Sequence, residues 1–285
     1  MKSHISLLGS RRSSPELVYL SLLIILNLCT VKATFSDNFE ISWGNVRLLN
    51  NGQTVQLTMD KASGSGFQSK MDYLFGSLSM RIKLISGDSA GTVTSYYMSS
   101  EASQHDELDY EFLGNLPGQP YTMQTNVFAS GIGNREQRLK LWFDPTADFH
   151  NYSILWNQKQ IVFWIDSIPI RVFKNNEAAG VPYPDQRPMK IISTLWNGED
   201  WATDGGRVKI DWNDAPFIAS YQSFEVDACS SSPCVNDWWD QSTFQSLNQQ
   251  QLTQLDWVRK NYMTYDYCND ASRYPTPPRE CALNP

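Results

Sequence analysis

Three acidic residues at alternate positions are the strongest candidates for chemistry in this chain. Glu107, Asp109 and Glu111 stand in the segment HDELDYEFLGN (residues 105–115), each separated from the next by one apolar or aromatic residue. Side chains alternate faces along a β-strand, so a strand here places all three acids on one face. Two carboxyl groups in different protonation states can cleave a glycosidic bond, the ionised one as nucleophile and the protonated one as acid.

The spacing of the two glutamates is compatible with that chemistry. On a straight strand the Cα atoms of Glu107 and Glu111 would lie about 13 Å apart, at ~3.3 Å per residue. Retaining enzymes need carboxyl groups about 5–5.5 Å apart, so the two side chains must lean together on a twisted, concave sheet. Asp109, between them, can share a proton with a neighbour and separate the two glutamate pKa values. Spacing alone does not say which glutamate is the nucleophile.

Two other interpretations of the acidic strand are weaker. A solvated strand face would normally alternate acids with Lys or Arg, because three like charges in a row repel each other. A calcium loop also uses acids at alternate positions, but the glycine and the distal glutamate of such a loop are missing here.

The elements that must position these acids are predicted to be β-strands. Leu78, Met80, Ile82 and Leu84 alternate with polar residues, and residues 55–59 and 208–212 repeat the pattern. The segments YSILWN and IVFWID, joined by a turn at residues 157–159, are rich in β-branched and aromatic residues. Such short strands predict an all-β sandwich of two sheets, of the jelly-roll type.

The C-terminal part has a different pattern. Between residues 248 and 262, Leu252, Leu255, Val258 and Tyr262 recur at helical spacing, which predicts one amphipathic helix. We therefore divide the chain into residues 34–226 as a catalytic domain and 227–285 as an extension.

The N-terminal residues 1–33 resemble a secretory signal peptide. Basic residues precede an apolar run from Leu17 to Leu28, which is short for a membrane anchor, the alternative interpretation. Removing this segment takes away four basic residues and one acidic residue, which changes the net charge from −7 to −10. An acidic chain repels phosphate backbones, so we expect no nucleic acid partner and, after signal cleavage, no membrane association.

Four cysteines remain after signal cleavage, which suggests two disulfides in a secreted chain. Three pairings are possible, and the simplest joins Cys229 to Cys234 and Cys268 to Cys281. Neither a C-x2-C pair nor a histidine cluster accompanies them, so we expect no zinc site, and no other metal or cofactor is implied.

The acidic strand resembles the H-D-E-I-D-F-E-F-L-G strand of the plant xyloglucan endotransglucosylase/hydrolases, in family 16 of the glycoside hydrolases. The segments QTNVFASG, NREQR, LWFDPT, LWNGEDWATDGGRVKIDW and VRKNYMTYDYC match in the same order. The resemblance implies a retaining enzyme with Glu107 as nucleophile, Glu111 as acid/base and Asp109 in support. It also implies a curved, concanavalin A-like jelly-roll sandwich whose extension completes the acceptor side of the cleft. We expect a monomer that is secreted to the apoplast and cell wall.

The resemblance further implies a set of substrate-binding residues. They are polar or aromatic groups suited to sugar hydroxyls and ring faces: Tyr97, His105, Gln124, Asn126, Asn134, Glu136, Arg138, Trp196, Trp201, Gly205, Tyr265 and Arg273. The expected substrates are xyloglucan chains as both donor and acceptor.

Some positions depart from the family pattern. The glycosylation sequon that often begins at the end of the active-site motif is absent, because Asn115 is followed by Leu116 and Pro117. The remaining sequon begins at Asn151, on a predicted strand, so its glycosylation is an open expectation.

The segment NGEDWATDGGRVKIDW lacks the longer loop of hydrolytic relatives, which predicts transfer over hydrolysis. The alternatives are a hydrolytic xyloglucan or mixed-linkage endo-β-glucanase and a glucan-binding lectin, against which the intact acids argue.

Overall fold

The computed structural model describes residues 33–100, 102–230 and 237–285, which belong to one compact unit. The predicted signal peptide falls almost wholly outside the described residues. Within them, antiparallel strands dominate. The strands are β1 Phe39–Leu49, β2 Thr54–Met59, β3 Ser65–Ser69, β4 Gly76–Lys83, β5 Thr92–Ser99, β6 Glu107–Leu113, β7 Thr122–Phe128, β8 Gln137–Lys140, β9 His150–Trp156, β10 Gln160–Ile165, β11 Ile168–Lys174, β12 Lys190–Asn197, β13 Phe217–Gln222, β14 Val226–Ala228 and β15 Met263–Asp266. The α-helices are α1 Phe35–Asn38 and α2 Gln249–Tyr262.

The strands form two sheets that share β1. The site sheet has the order β1-β3-β12-β5-β6-β7-β8-β15, and the back sheet has the order β11-β10-β9-β4-β13-β2-β1, with β14 beside β4. The first half of β1 pairs with β3, and its second half, from Asn45, pairs with β2. The crossing point is Gly44, at φ 73°, where a Cβ would lie 2.1 Å from the Gly64 carbonyl oxygen. Only glycine allows the chain to change sheets there.

The two sheets face each other across one core, which confirms the predicted all-β sandwich. Leu108, Tyr110 and Phe112 of β6 are fully buried in this core. The predicted strand over the acidic segment is therefore correct, although it begins at Glu107 rather than His105. The apolar side chains of β6 hold the strand in place, and the three acids occupy its other face.

Most of the other predicted elements are also present. Residues along β4 alternate between buried and partly exposed, as predicted, and β9 and β10 meet at a turn over residues 157–159. The predicted helix is α2, which buries Leu255 and Val258. It begins after Asn248, whose side chain accepts a hydrogen bond from the Gln251 backbone N–H, while the Gln251 side-chain oxygen accepts one from the Asn248 N–H.

The predicted strand over residues 208–212 is wrong. Val208 and Ile210 lie in an irregular segment, and Trp212–Asp214 form a 3₁₀ turn capped by the Asp211 side chain. Ile210 is buried against Gly91, not on a strand surface. The alternation of apolar residues here reflects this local packing, because none of the described strands pairs with the segment.

The extension contributes to both the covalent and the sheet structure. Cys268 and Cys281 form a disulfide, and the predicted pair Cys229–Cys234 includes a residue outside the described ranges. Strand β15 adds an edge strand to the site sheet beside β8. In the described part of the chain, neither helix combines the length and apolar character that crossing a bilayer would require.

Tyr110 ties the two sheets together through its hydroxyl group. The oxygen lies 2.9 Å from the carbonyl oxygens of Ser153 and Trp164 and accepts a hydrogen bond from the Trp164 N–H at 2.9 Å. Its neighbour Tyr152 is equally buried, but the Tyr152 hydroxyl has no hydrogen-bond partner. Of these two buried hydroxyl groups, that of Tyr110 is hydrogen-bonded and that of Tyr152 is not.

We expect Tyr110→Phe to lower the free energy of unfolding by about 1–3 kcal/mol, because it leaves buried backbone groups unpaired. Tyr152→Phe is the matched control and should change stability little or raise it. Urea unfolding followed by tryptophan fluorescence measures both. Equal destabilisation by the two variants would contradict the assigned role of the Tyr110 hydroxyl.

Candidate active site

Five neighbouring strands of the site sheet present their outward side chains to one cavity of about 480 Å³. The register sets these side chains side by side: Tyr97 of β5 lies opposite Asp109, and Asp109 lies opposite Asn126 of β7. The cavity is lined by Ser95, Tyr97, Glu107, Asp109, Glu111, Gln124, Asn126, Phe128, Glu136, Arg138, Thr194, Trp196 and Trp201. The three acids predicted from the sequence therefore converge on one space.

Asp109 is the most deeply buried of the three acids. Burial, together with the charges of Glu107 and Glu111, raises its pKa well above the usual carboxyl range. A side-chain hydrogen bond to Glu107 adds to this shift, so Asp109 holds the proton and donates it towards the Glu107 carboxylate. Asp109 is thus suited to orient Glu107 without adding a negative charge.

Glu107 also has His105 as a neighbour. His105 Nε2 lies 3.7 Å from Glu107 Oε2, and the His105 ring stacks on Phe128 with 5.0 Å between the centroids. Glu107 therefore lies between a histidine and a protonated aspartic acid.

Glu111 is held by a relay of two polar side chains. Gln124 Nε2 donates to Glu111 Oε2 at 2.6 Å, and Arg138 Nε donates to Gln124 Oε1 at 2.7 Å. Burial raises the pKa of Glu111, while the hydrogen bond from Gln124 opposes the increase. Glu111 therefore keeps its proton to a higher pH than an ordinary glutamic acid, as a general acid requires.

Tyr97 adds a neutral hydroxyl beside the acids. Burial, and then the charges of Glu107, Asp109 and Glu111, raise its pKa to about 12. The phenol therefore remains a hydrogen-bond donor across the physiological pH range.

Aromatic rings and a second cavity extend the site beyond the acids. Trp196 and Trp201 both line the first cavity, with their ring centroids 6.2 Å apart. A neighbouring cavity of about 640 Å³ shares Trp201 and Arg138 with it and also contacts Gly205 and Tyr265. The Arg138 Cζ atom lies 5.3 Å from the Tyr265 ring centroid. Tyr265 belongs to the extension, so the extension forms part of the wall of this second cavity.

Three predicted binding residues line neither cavity. His105 contacts Glu107 instead, and Asn134 is exposed, with a positive φ of 64°. The Arg273 guanidinium donates to the side chains of Asn134 and Glu136, the latter at 2.7 Å. Arg273 therefore links the extension to the loop before β8 and orders that loop beside the cavity.

Sequence reasoning missed Ser95, Phe128 and Thr194, which also line the cavity. Each lies two residues from a predicted contact residue on the same strand, so strand alternation was the signal that could have found them. Asn151, the predicted glycosylation site, lies in β9 of the back sheet, and its modification remains a prediction. The described residues include no group of His, Cys, Asp and Glu arranged to hold a metal ion.

Comparisons with known proteins agree with this geometry. The model of the family "Glycosyl hydrolases family 16" matches residues 35–214, and that of "Xyloglucan endo-transglycosylase (XET) C-terminus" matches residues 234–281. A probable xyloglucan endotransglucosylase/hydrolase protein 5 of Arabidopsis thaliana is 54% identical over 261 residues, which cover 88% of this chain and 89% of the relative.

Two further comparisons extend this result. Xyloglucan endotransglucosylase protein 34 of Populus tremula x Populus tremuloides is 54% identical over 260 residues, 88% of each chain. A prokaryotic β-1,3-1,4-glucanase (lichenase) derived from a mouse hindgut metagenome has the same fold. It matches with a TM-score of 0.54 and 22% identity, over 69% of this chain and 98% of that one.

The relay to Glu111 makes a direct prediction about its titration. Gln124→Met removes the donor that stabilises the carboxylate, so the pKa of Glu111 should rise further, by about one unit. Carbon-13 NMR titration of glutamate-labelled protein measures this shift. Thr122→Val, two residues before Gln124 on the same strand, is the control, because the Thr122 hydroxyl bonds to Lys140 and not to Glu111. An unchanged Glu111 titration in Gln124→Met would contradict the relay.

Proposed function

The chain belongs to family 16 of the glycosyl hydrolases, and from this premise we propose that it is a xyloglucan endotransglucosylase. It cleaves the β-1,4-glucan backbone of xyloglucan with retention and transfers the new end to the 4-hydroxyl of another xyloglucan chain. The observation that carries the proposal is the row of three acids in one cavity, with the pKa values of Asp109 and Glu111 raised, next to a second cavity that Tyr265 of the extension lines.

In the first half-reaction, Glu107 attacks the anomeric carbon and Glu111 gives its proton to the departing 4-oxygen. The glycosidic bond breaks, an ester forms between the sugar and Glu107, and the shortened chain leaves. The hydrogen bond between Asp109 and Glu107 orients the Glu107 carboxyl group for this attack. The raised pKa of Glu111 supports its role as the proton donor.

In the second half-reaction, Glu111 is a carboxylate and acts as a base. It takes the proton of the acceptor 4-hydroxyl, whose oxygen attacks the anomeric carbon and releases Glu107. Two inversions give net retention. Water can take the same path, so the outcome depends on how well an acceptor chain is bound and oriented.

The second cavity supports transfer over hydrolysis. Trp201, Arg138 and Tyr265 line it, which offers ring faces and a cation for sugar binding next to the catalytic cavity. A bound acceptor there would have a high effective concentration at the ester and would compete with water. Gly205, at φ 65°, also lines this cavity in the compact turn that follows Trp201.

The remaining predicted residues have supporting roles in this proposal. Tyr97, Asn126, Glu136 and Trp196 bind sugar in the first cavity, while His105, Asn134 and Arg273 act through the residues that they contact. We further propose that residues 34–226 carry the catalytic machinery, that residues 227–285 complete the acceptor side, and that the protein is a monomer secreted to the apoplast and cell wall. The Cys268–Cys281 disulfide supports an oxidising location.

Azide rescue distinguishes the roles of the two glutamates. With an aryl β-glycoside of a xyloglucan oligosaccharide as donor, Glu107→Ala should form the α-glycosyl azide, because azide replaces the missing nucleophile. Glu111→Ala should form the β-glycosyl azide, because azide attacks the ester on Glu107. Proton NMR of the anomeric position reads the stereochemistry, and exchanged configurations would reverse the assignment.

The transfer reaction is tested by two rates measured on one sample. Fluorescent xyloglucan oligosaccharides should be incorporated into long xyloglucan with little new reducing end. Faster release of reducing ends than incorporation of label would indicate a hydrolase. Binding without turnover on xyloglucan or mixed-linkage glucan would indicate a lectin.

A further inference from the structure

Arg171 is a fully buried cation between the two sheets. It lies in β11 of the back sheet with 2% of its surface exposed. None of the ion pairs among the described residues includes it. Burying a charge without a directly paired counter-ion is unfavourable by several kcal/mol, so a retained cation at this place requires an explanation.

The guanidinium group of Arg171 donates hydrogen bonds to the face of the site sheet that is opposite the cavity. Nη1 donates to the Thr125 carbonyl oxygen at 2.9 Å and to Thr125 Oγ1 at 3.0 Å, and Nη2 donates to the Arg135 carbonyl oxygen at 2.6 Å. Thr125 stands between Gln124 and Asn126, which line the catalytic cavity from the other face of β7. The planar fork therefore joins β7 to the segment before β8 directly behind the site.

The charge of Arg171 also acts on the acids. Burial, Glu107 and Glu111 raise the pKa of Asp109, and Arg171 is the cation that opposes the increase. Tyr97 is the other titratable group that faces Asp109, from β5. The other titratable groups around Arg171 are Tyr267 and Asp266 of the extension and Arg135.

We propose that Arg171 is a positioning residue for the acids of β6. Its fork fixes β7 and the segment before β8, and its charge acts on Asp109 and so offsets part of the electrostatic cost of placing three acids on one strand face. This inference rests on the proposed roles of the acids, and it adds a residue on the opposite sheet that lines neither cavity.

The pH dependence of the reaction tests the charge. Arg171→Met removes the cation, so ionised carboxylates become less favourable and both limbs of the kcat/KM profile should move to higher pH by about half a unit. Arg171→Lys keeps the charge but loses the fork, so it should lower kcat without moving the profile. Arg81→Met is the matched control. Arg81 also donates to a backbone carbonyl and lies over a ring, as Arg171 lies over Phe163, but both of its contacts are with Phe149, outside the site sheet.

Thermal unfolding provides a readout that needs no substrate. Because the pKa of Asp109 is raised in the folded state, its contribution to stability is present at low pH and lost as the pH rises through the folded pKa. Without Arg171 this loss should be larger, so the Tm difference between wild type and Arg171→Met should be about 2 °C greater at pH 8 than at pH 4. Asp266 is the other acid that acts on Arg171. The larger Tm difference at pH 8 should therefore persist when both proteins also carry Asp266→Asn, which shows that Asp266 is not its cause.

Each outcome has a clear meaning. A uniform loss of rate or stability in Arg171→Met, with no shift in either pH series, overturns the proposal and leaves a structural role. A shift in Arg171→Lys equal to that in Arg171→Met also overturns it. Arg171→Gln replaces the methionine variant if the latter does not fold. If the wild type is inactive on xyloglucan, the proposed function fails, while the unfolding series still decides the role of Arg171.

Discussion

Carboxyl groups at alternate positions of one buried strand face cannot all be ionised, because desolvation and mutual repulsion both favour the neutral form. The central group, Asp109, is the most buried and has both neighbours beside it, so it takes the proton. Glu107 then receives a hydrogen bond instead of a repelling charge, and Glu111, held by Gln124, keeps a raised pKa. The unequal roles of three similar side chains follow from their order along β6.

That order is useful only if β6 cannot slip or rotate. A shift of one residue would exchange the acidic face for the apolar face, and the full burial of Leu108, Tyr110 and Phe112 opposes any such shift. The ring of Tyr110 packs in the core and its hydroxyl reaches the backbone of the back sheet. The residues between the acids thus determine the geometry of the acids.

This explains how much of the site could be predicted from the sequence. Strand alternation depends on neighbouring residues alone, so the acidic face and the alternation along β4 were predictable. The strand predicted over residues 208–212 failed because three alternating apolar residues do not reveal whether a partner strand exists. Arg171 gave no signal, since its contacts with Thr125 and Arg135 come from distant parts of the chain. The relay from Arg138 through Gln124 to Glu111 likewise depends on strand register, which alternation does not supply.

The two half-reactions depend on different parts of the chain. In the proposed mechanism, bond cleavage uses Glu107, Asp109 and Glu111, all on β6, whereas transfer uses an acceptor held in the second cavity. The extension supplies a wall of that cavity through Tyr265, and β15 is fixed as an edge strand of the site sheet. The buried ion pair between Arg135 and Glu280, at 2.6 Å, joins the end of the extension to the segment before β8, whose backbone Arg171 also holds. Loosening the extension should therefore favour water over the acceptor before it affects formation of the ester, because the acids do not depend on the extension for their order along β6.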